Sequence, residues 1–199
     1  MPDAAVTGGA GPGFATVYPC TAAVPDASSI NYGPGITRPN ELVAKLTPAG
    51  EICVFTLTDV HVLVDVVGFL TESDGYTAVT PARHADSRDE PTFDGRQRNT
   101  GIRRGGTIWN IPITGRGVVP DDATAATVNV TVTGGVGPGF ATVYPCTPEV
   151  PGASSLNYAP GVTRPNEVVA KLSPAGSICI FTLADTHVIV DVVGHNGSE

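Results

Sequence analysis

A gapless internal duplication limits what this chain can fold into more than any other feature. Residues 6–68 match residues 132–194 at a constant offset of 126, and 49 of these 63 positions are identical. Two segments this similar are expected to adopt the same local fold, so the architecture must accommodate one β-rich unit twice. Residues related by the offset of 126 are called twins below.

A weaker similarity links the middle of the chain to the two copies. Segment 64–81 aligns with segment 128–145 without a gap, and glycine-aromatic pairs recur at Gly13-Phe14, Gly75-Tyr76 and Gly139-Phe140. We therefore predict three related modules in one compact unit. Their boundaries are 1–70 for the first module B, 71–133 for a diverged module A and 134–199 for the second module B.

The fold class predicted from this pattern is all-β. The 24 glycines and 18 prolines separate short runs rich in β-branched and aromatic residues, and no helical apolar period extends beyond a turn or two. Five short strands are predicted in each module B. In the first copy they span Phe14 to Tyr18, Ser29 to Tyr32, Glu41 to Leu46, Ile52 to Leu57 and Val60 to Val67. The last has apolar residues on both faces, which favours a central position.

Two architectures are compatible with these modules. A unit of about 63 residues buries too little surface to be reliably stable alone, so the modules are expected to share a core. The preferred arrangement closes three related modules around a pseudo-threefold axis. The alternative is a β-sandwich built from the A–B module pair, which leaves the first module B with an exposed edge that invites dimerisation.

Net charge excludes several classes of partner. The formal charge is -8, and an acidic surface opposes non-specific binding to nucleic acids and anionic membranes. No apolar run approaches the roughly 18 residues of a membrane span. The start of the chain does not have the pattern of a signal peptide, which suggests a segment of a longer chain. Expected partners are polysaccharides, cell-wall glycans or neighbouring repeats.

The four cysteines occur only in the two B modules. Each pair is separated by 33 residues, and module A has none, so bridges within each module, Cys20–Cys53 and Cys146–Cys179, are the preferred pairing. Free thiols and a zinc site remain alternatives, although there is no C-x-x-C spacing. Disulfides imply an oxidising compartment, so the chain is expected to be extracellular or at the cell surface.

Catalytic signatures are missing from the sequence. There is no nucleophile elbow, phosphate-binding loop or H-E-x-x-H motif. His61 and Asp65, with their twins His187 and Asp191, are spaced to share a strand face, but structural roles are favoured over a metal or acid-base site. We predict no enzyme activity, no catalytic residues, no metal and no cofactor.

Tyrosine, arginine and asparagine recur in both copies in a combination that suits sugar hydroxyls or a protein surface. The tentative ligand-binding set is Tyr18, Tyr32, Arg38 and Asn40, with Tyr144, Tyr158, Arg164 and Asn166. The alternative is that the tyrosines cap the core. Lys45 and Lys171 also recur near asparagines, and solvated lysines are favoured over covalent cross-links.

Several motifs resemble a repeat found in secreted and cell-surface proteins of actinobacteria. They are PARHADSR at 81–88, GRGVVPDDATAATVNVTVT at 115–133, GFATVYPC, SSLNY at 154–158 and HVIVDVVG at 187–194. The family signature LDTR reads Ala85-Asp86-Ser87-Arg88 here, and an internal ion pair between Asp86 and Arg88 is expected. The resemblance implies an extracellular accessory module and supplies no ligand.

The function expected from the sequence is therefore non-catalytic. The leading hypothesis is an extracellular binding or adhesion module directed to carbohydrate or the cell wall. The alternative is a structural stalk or a fibre-forming repeat unit of a surface protein.

Overall fold

The structure is a computed structural model that describes residues 2–66, 69–70 and 75–197. These residues form β-strands and no helix, so the all-β class is confirmed. The strands are β1 (Pro2–Thr7), β2 (Gly13–Tyr18), β3 (Ile30–Tyr32), β4 (Arg38–Glu41), β5 (Cys53–Thr56), β6 (His61–Val66), β7 (Tyr76–Asp86), β8 (Thr107–Pro112), β9 (Ala125–Thr133), β10 (Gly139–Tyr144), β11 (Leu156–Tyr158), β12 (Arg164–Lys171), β13 (Ser177–Thr182) and β14 (His187–Asn196).

The second copy and the segment before it form a β-sandwich. Residues 75–124, called the A segment, contribute β7 and β8, and residues 125–196, called the second copy from here on, contribute β9 to β14. One antiparallel sheet has the order β12-β9-β14-β7, and the other has the order β11-β10-β13-β8. Valines of β9 and β14 pack against Ile111 and Ile180 of the facing sheet in one buried core. Alternation places every second residue of β9 and β14 in this core.

The first copy repeats this arrangement without the two strands of the A segment. Its sheets have the orders β4-β1-β6 and β3-β2-β5, three strands each. A second, smaller core forms between them around Val6, Val17 and Ile30. Each copy therefore uses equivalent strands in equivalent pairings, as the duplication predicts.

The pseudo-threefold arrangement is not confirmed. Module A, predicted over 71–133, contains three strands, β7, β8 and β9, rather than five. Each of them joins a sheet with strands of the second module B: β7 pairs with β14, β8 with β13, and β9 with β12 and β14. Residues 76–196 thus correspond to the alternative architecture, a sandwich built from an A–B pair. The glycine-aromatic similarity of Gly75-Tyr76 to Gly139-Phe140 does not produce a similar fold, because β7 pairs with β14 instead of forming a hairpin like that of β10 and β11.

Most of the predicted strands are found, with two differences in the first copy. The strand expected over Glu41 to Leu46 is β4 (Arg38–Glu41), and Val67, the predicted end of the last strand, lies outside the described residues. That last strand, β6, was expected to be central. It lies at a sheet edge, whereas its twin β14 is central because β7 covers it.

Candidate functional site

Both expected disulfides are present, and each closes the same loop in its own copy. Cys20 bonds to Cys53 and Cys146 bonds to Cys179, with Cα atoms 4.8 Å apart in both pairs. Each bridge joins the end of one strand to the start of its neighbour, since Tyr18 pairs with Cys53 and Tyr144 with Cys179 in the sheet register. The disulfides are consistent with an oxidising, extracellular compartment.

The tyrosines of the predicted binding set do not form an exposed platform. Tyr32, Tyr144 and Tyr158 are buried, and Tyr18 is half-buried. The Tyr158 hydroxyl donates to the Ala184 carbonyl at 2.8 Å. Burial also raises the pKa of Tyr144. Three of the four rings are therefore not exposed in the way that stacking on a sugar would need, because they are buried in the interior of the protein.

The asparagines of the set support their own copy. Asn40 Nδ2 donates to the Ser29 carbonyl at 2.9 Å, and its twin Asn166 Nδ2 donates to the Ser155 carbonyl at 2.9 Å. Each bond links two neighbouring strands of different sheets. A side-chain amide that already donates its N–H to a backbone carbonyl is poorly placed to donate the same hydrogen to a ligand.

The arginines of the set are brought close to one another across the two copies. Burial lowers the pKa of Arg38, and the nearby positive charge of Arg164 lowers it further. The structure thus brings these two members of the set near each other. The ligand-binding role of the set stays a prediction.

A cluster of polar residues, of which the sequence singled out Asp191 but not its partners, lies where the first copy meets the sheet β12-β9-β14-β7. We call this contact the copy junction. At its centre the buried Asp191 carboxylate accepts from Arg83 Nε at 3.0 Å and from the backbone N–H of Ser28 at 3.2 Å. Arg83 also contacts Asp26 of the first copy at 3.3 Å. One carboxylate and one guanidinium therefore connect the A segment, the second copy and the first copy.

The charged groups at the centre of the copy junction shift each other's pKa values. Burial raises the pKa of Asp191, and the charge and hydrogen bond of Arg83 partly offset this effect. Burial would lower the pKa of Arg83, but the carboxylates of Asp191, Asp26 and Asp86 outweigh it and raise the pKa. The guanidinium is thus firmly charged, and its position is fixed by three carboxylates.

Two further hydrogen bonds extend the copy junction. Asn129 Nδ2 donates to the Ser28 carbonyl, and the backbone N–H of Val43 donates to Glu167 Oε1 at 2.7 Å. Burial raises the pKa of Glu167 to about 8, and the nearby charge of Glu41 adds to the increase. The outer face of β9 and β14 is buried despite its polar residues, because the first copy covers it.

His187 and Asp191 do not act as a pair. Asp191 belongs to the copy junction, whereas His187 Nδ1 lies 2.9 Å from the hydroxyl of Ser87. Ser87 is fully buried and also accepts the backbone N–H of Val188 at 3.0 Å. In the first copy, His61 and Asp65 are exposed. Within the described ranges, no group of three or more His, Cys, Asp or Glu residues is placed to hold a metal ion.

The motif that carried the family resemblance forms an ion-pair network. Arg88 Nε and Nη2 donate to the two carboxylate oxygens of Asp86 at 3.0 and 2.7 Å, which confirms the expected internal pair. Nearby, buried Arg116 makes a similar two-point contact with Asp94 at 2.9 and 2.8 Å. The contact with Arg116 lowers the pKa of Asp94 to about 2. These arginines fix loops of the A segment onto the sandwich.

An open cleft lies at one end of the second copy. It has a volume of about 490 Å³. Asp121, Thr147, Lys171 and Ser173 supply polar groups, and Leu172 lies among them. Lys171 and its twin Lys45 are exposed, so neither is in the desolvated setting that a covalent lysine cross-link would need.

No protein-family model matches this chain, no curated protein matches it, and no solved structure matches its fold. In the part of the chain that the structure describes, no helix is long and apolar enough to cross a membrane. The geometry of the copy junction and of the cleft is therefore the basis for assigning a function.

Proposed function

We propose that this chain is a non-catalytic structural repeat unit of an extracellular assembly, in which successive copies are docked in a fixed orientation. The observation that carries the proposal is the buried Asp191 carboxylate, which bonds to Arg83 on its own side and to the Ser28 amide of the first copy. A stalk needs this kind of inflexible connection between its units.

Burial of charge is the physical reason for rigidity. Opening the copy junction would take the Ser28 amide away from the buried Asp191 carboxylate, and a hydrogen bond to a charged group typically contributes about 1.5–3 kcal/mol. A hinge at the copy junction would expose Asp191 and Arg83 and break the Glu167 contact with Val43 at the same time. The lowest-energy arrangement therefore keeps the two copies together.

The non-catalytic part of the proposal is supported by the hydrogen bonding of Ser87. Its hydroxyl contacts His187 but is closed off from solvent and already bonded to the Val188 amide. A nucleophile must reach its substrate, so this pair fits a structural role. The resemblance to the actinobacterial repeat stays a prediction.

Rigidity can be measured with one probe in each copy. Ala49 and its twin Ala175 are exposed and lie outside the copy junction, so non-cysteine labels there leave the disulfides intact. The distribution of distances between the labels should be narrow and should have one maximum. Asp191→Asn should broaden it, because a neutral amide cannot replace the carboxylate between Arg83 and Ser28.

Asp65→Asn is the matched control, since Asp65 is the exposed twin of Asp191. It should leave the distribution unchanged. A broad distribution in the unsubstituted chain would contradict the proposal, because it would show that the copies move independently.

A binding or adhesion module is the second candidate, and the cleft of about 490 Å³ favours it. A cleft with carboxylate, hydroxyl and ammonium groups around apolar carbon suits a sugar. Binding at the cleft would involve the second copy and not the first, because two of the cleft residues, Asp121 and Asp122, belong to the A segment, which packs on the second copy.

Retention on insoluble polysaccharides and bacterial cell walls tests this candidate. Retention that is lost in Lys171→Ala and kept in Lys45→Ala, its twin in the first copy, would support binding at the cleft. Retention equal in both variants would exclude the cleft as its cause.

A further inference from the structure

The first copy has an open side that its twin does not have. In the described residues, no strand pairs with the outer edge of β5 or β6. Val62, Val64 and Val66 of β6 are 39%, 42% and 79% exposed. We call these valines, with the free edges of β5 and β6, the acceptor face. Apolar edges of this kind are ready templates for pairing with another polypeptide.

The second copy shows what covers the same surface. Val188, Val190 and Val192, the twins of the three valines, are all 0% exposed. The A segment buries them: β7 pairs with β14 along its whole length, and Trp109, Ile111 and Ile113 fill the core below. The two copies are nearly identical in sequence, so the difference in exposure comes from the A segment alone.

The first copy retains the side chains that bind the A segment in the second copy. Asp185 Oδ1 accepts from the Gly105 N–H at 2.7 Å, His187 contacts Ser87 at 2.9 Å, and Asp191 accepts from Arg83 at 3.0 Å. The twins of these three residues in the first copy are Asp59, His61 and Asp65. The acceptor face therefore has both the apolar surface and the polar groups of the covered site.

We propose that the acceptor face binds a polypeptide of the A-segment type, which adds one strand beside β6 and one beside β5 and completes a second sandwich. The occupant is defined by its chemistry. It has a strand with small and charged residues like β7, and an apolar strand like β8 that carries Trp109 and Ile111 in alternate positions. This inference deepens the proposed structural role, because completed sandwiches are what an array would consist of.

A chain with a second A segment tests the proposal. Residue 127 is the twin of residue 1, so residues 75–126 placed directly ahead of Met1 reproduce the spacing found before the second copy. Hydrogen exchange of the β6 amides that point away from β1 should slow by about 100-fold or more, because these amides gain hydrogen-bond partners in the added strand and become covered. Equal exchange in the extended and unextended chains would overturn the proposal.

The register of pairing can be tested by cross-linking. Ala85 pairs with Val190, the twin of Val64. Val64→Cys combined with Ala85→Cys in the added segment should form a disulfide. Val64→Cys combined with Ala78→Cys in the added segment should not, since Ala78 pairs with Gly194. Cross-linking that is equally efficient in both chains would contradict a specific fit.

Two controls separate the proposal from its alternatives. Ile111→Asp in the added segment alone should abolish the protection of β6 and leave the second copy folded, because its own Ile111 is intact. If the acceptor face instead binds the acceptor face of a second chain, the unextended chain should form dimers with protected β6 amides and a disulfide between two Val64→Cys chains. That result would show that the occupant is a second copy of this chain and not a polypeptide of the A-segment type. The distance distribution across the copy junction is measured on the unextended chain, so the structural role and the acceptor face can fail separately.

Discussion

At the scale of single residues, Glu167 couples the copy junction to pH. Its pKa is raised to about 8 from an ordinary 4.5, mainly by burial. The folded state thus holds this proton more tightly than the unfolded state does. The resulting contribution to stability is complete below about pH 4.5 and is lost as pH rises through about 8.

Glu167→Gln should remove this pH dependence while keeping an acceptor for the Val43 amide. One proton contributes a slope of at most about 1.4 kcal/mol per pH unit. Urea denaturation between pH 5 and 9 should therefore show a shallower decline of the unfolding free energy in the variant. Glu51→Gln, at an exposed glutamate outside the copy junction, should follow the unsubstituted chain, and an unchanged slope in Glu167→Gln would exclude this carboxyl as the source.

Gly194 is a second residue whose neighbours define its role. It lies at a bulge in β14, and a Cβ atom there would be 1.8 Å from the Tyr76 hydroxyl. Gly194→Ala should destabilise the sandwich by about 1–3 kcal/mol, because Tyr76 must move out of its buried position. Gly152→Ala has open space around it and should have little effect. The midpoints of urea unfolding would distinguish the two variants.

At the scale of strands, the two disulfides have the same geometry but support cores of different size. In the described residues, the core of the first copy is built around Val6 and Ile30, whereas the core of the second copy also includes Trp109, Ile111 and Val119 of the A segment. Closing a loop of this length stabilises a chain by roughly 3–4 kcal/mol in the chain-entropy model. The first copy has the smaller core, so the loss of its disulfide should remove a larger fraction of its stability.

Removing one disulfide at a time should therefore give unequal results. Cys20→Ala/Cys53→Ala should unfold β1 to β6 at ordinary temperature, and Cys146→Ala/Cys179→Ala should lower the melting temperature while the sandwich remains folded. Hydrogen exchange resolved by strand would show which part is lost. Equal loss of protection in both variants would indicate that the A segment adds little to the second core.

Strand positions also show how far the sequence alone could lead. The 33-residue spacing indicated the disulfide pairing, and the apolar residues on both faces of the last strand of module B indicated a central position, which β14 occupies. Neither pattern could place β6, because Val62 and Val188 occupy nearly identical local sequences, and yet Val62 is 39% exposed and Val188 is 0% exposed. Their burial is decided by β7 and β8, which are distant in sequence. The same limit left two alternatives open for the tyrosines, because a ring that caps a core and a ring on a surface have the same spacing.

At the scale of the whole molecule, the unequal cores predict unfolding in two steps. Trp109 is the single tryptophan of the chain and reports on the sandwich, whereas far-UV circular dichroism reports on both copies. In urea, the first loss of dichroism should precede the change in tryptophan fluorescence. Coincident transitions would mean that the copy junction makes the two copies one cooperative unit.

The copy junction joins different surfaces on its two sides, and this has a geometric consequence. The first copy contributes Ser28 and Val43, and the twins of these residues, Ser154 and Val169, are exposed in the second copy, Val169 by 68%. A head-to-tail contact of this type is heterologous and does not close on itself unless its rotation divides a full turn. Each further repeat joined in the same way would follow the last by one fixed rotation and one fixed translation. The rise and handedness of such a filament are thus set by the rotation and translation that relate the two copies within a single chain.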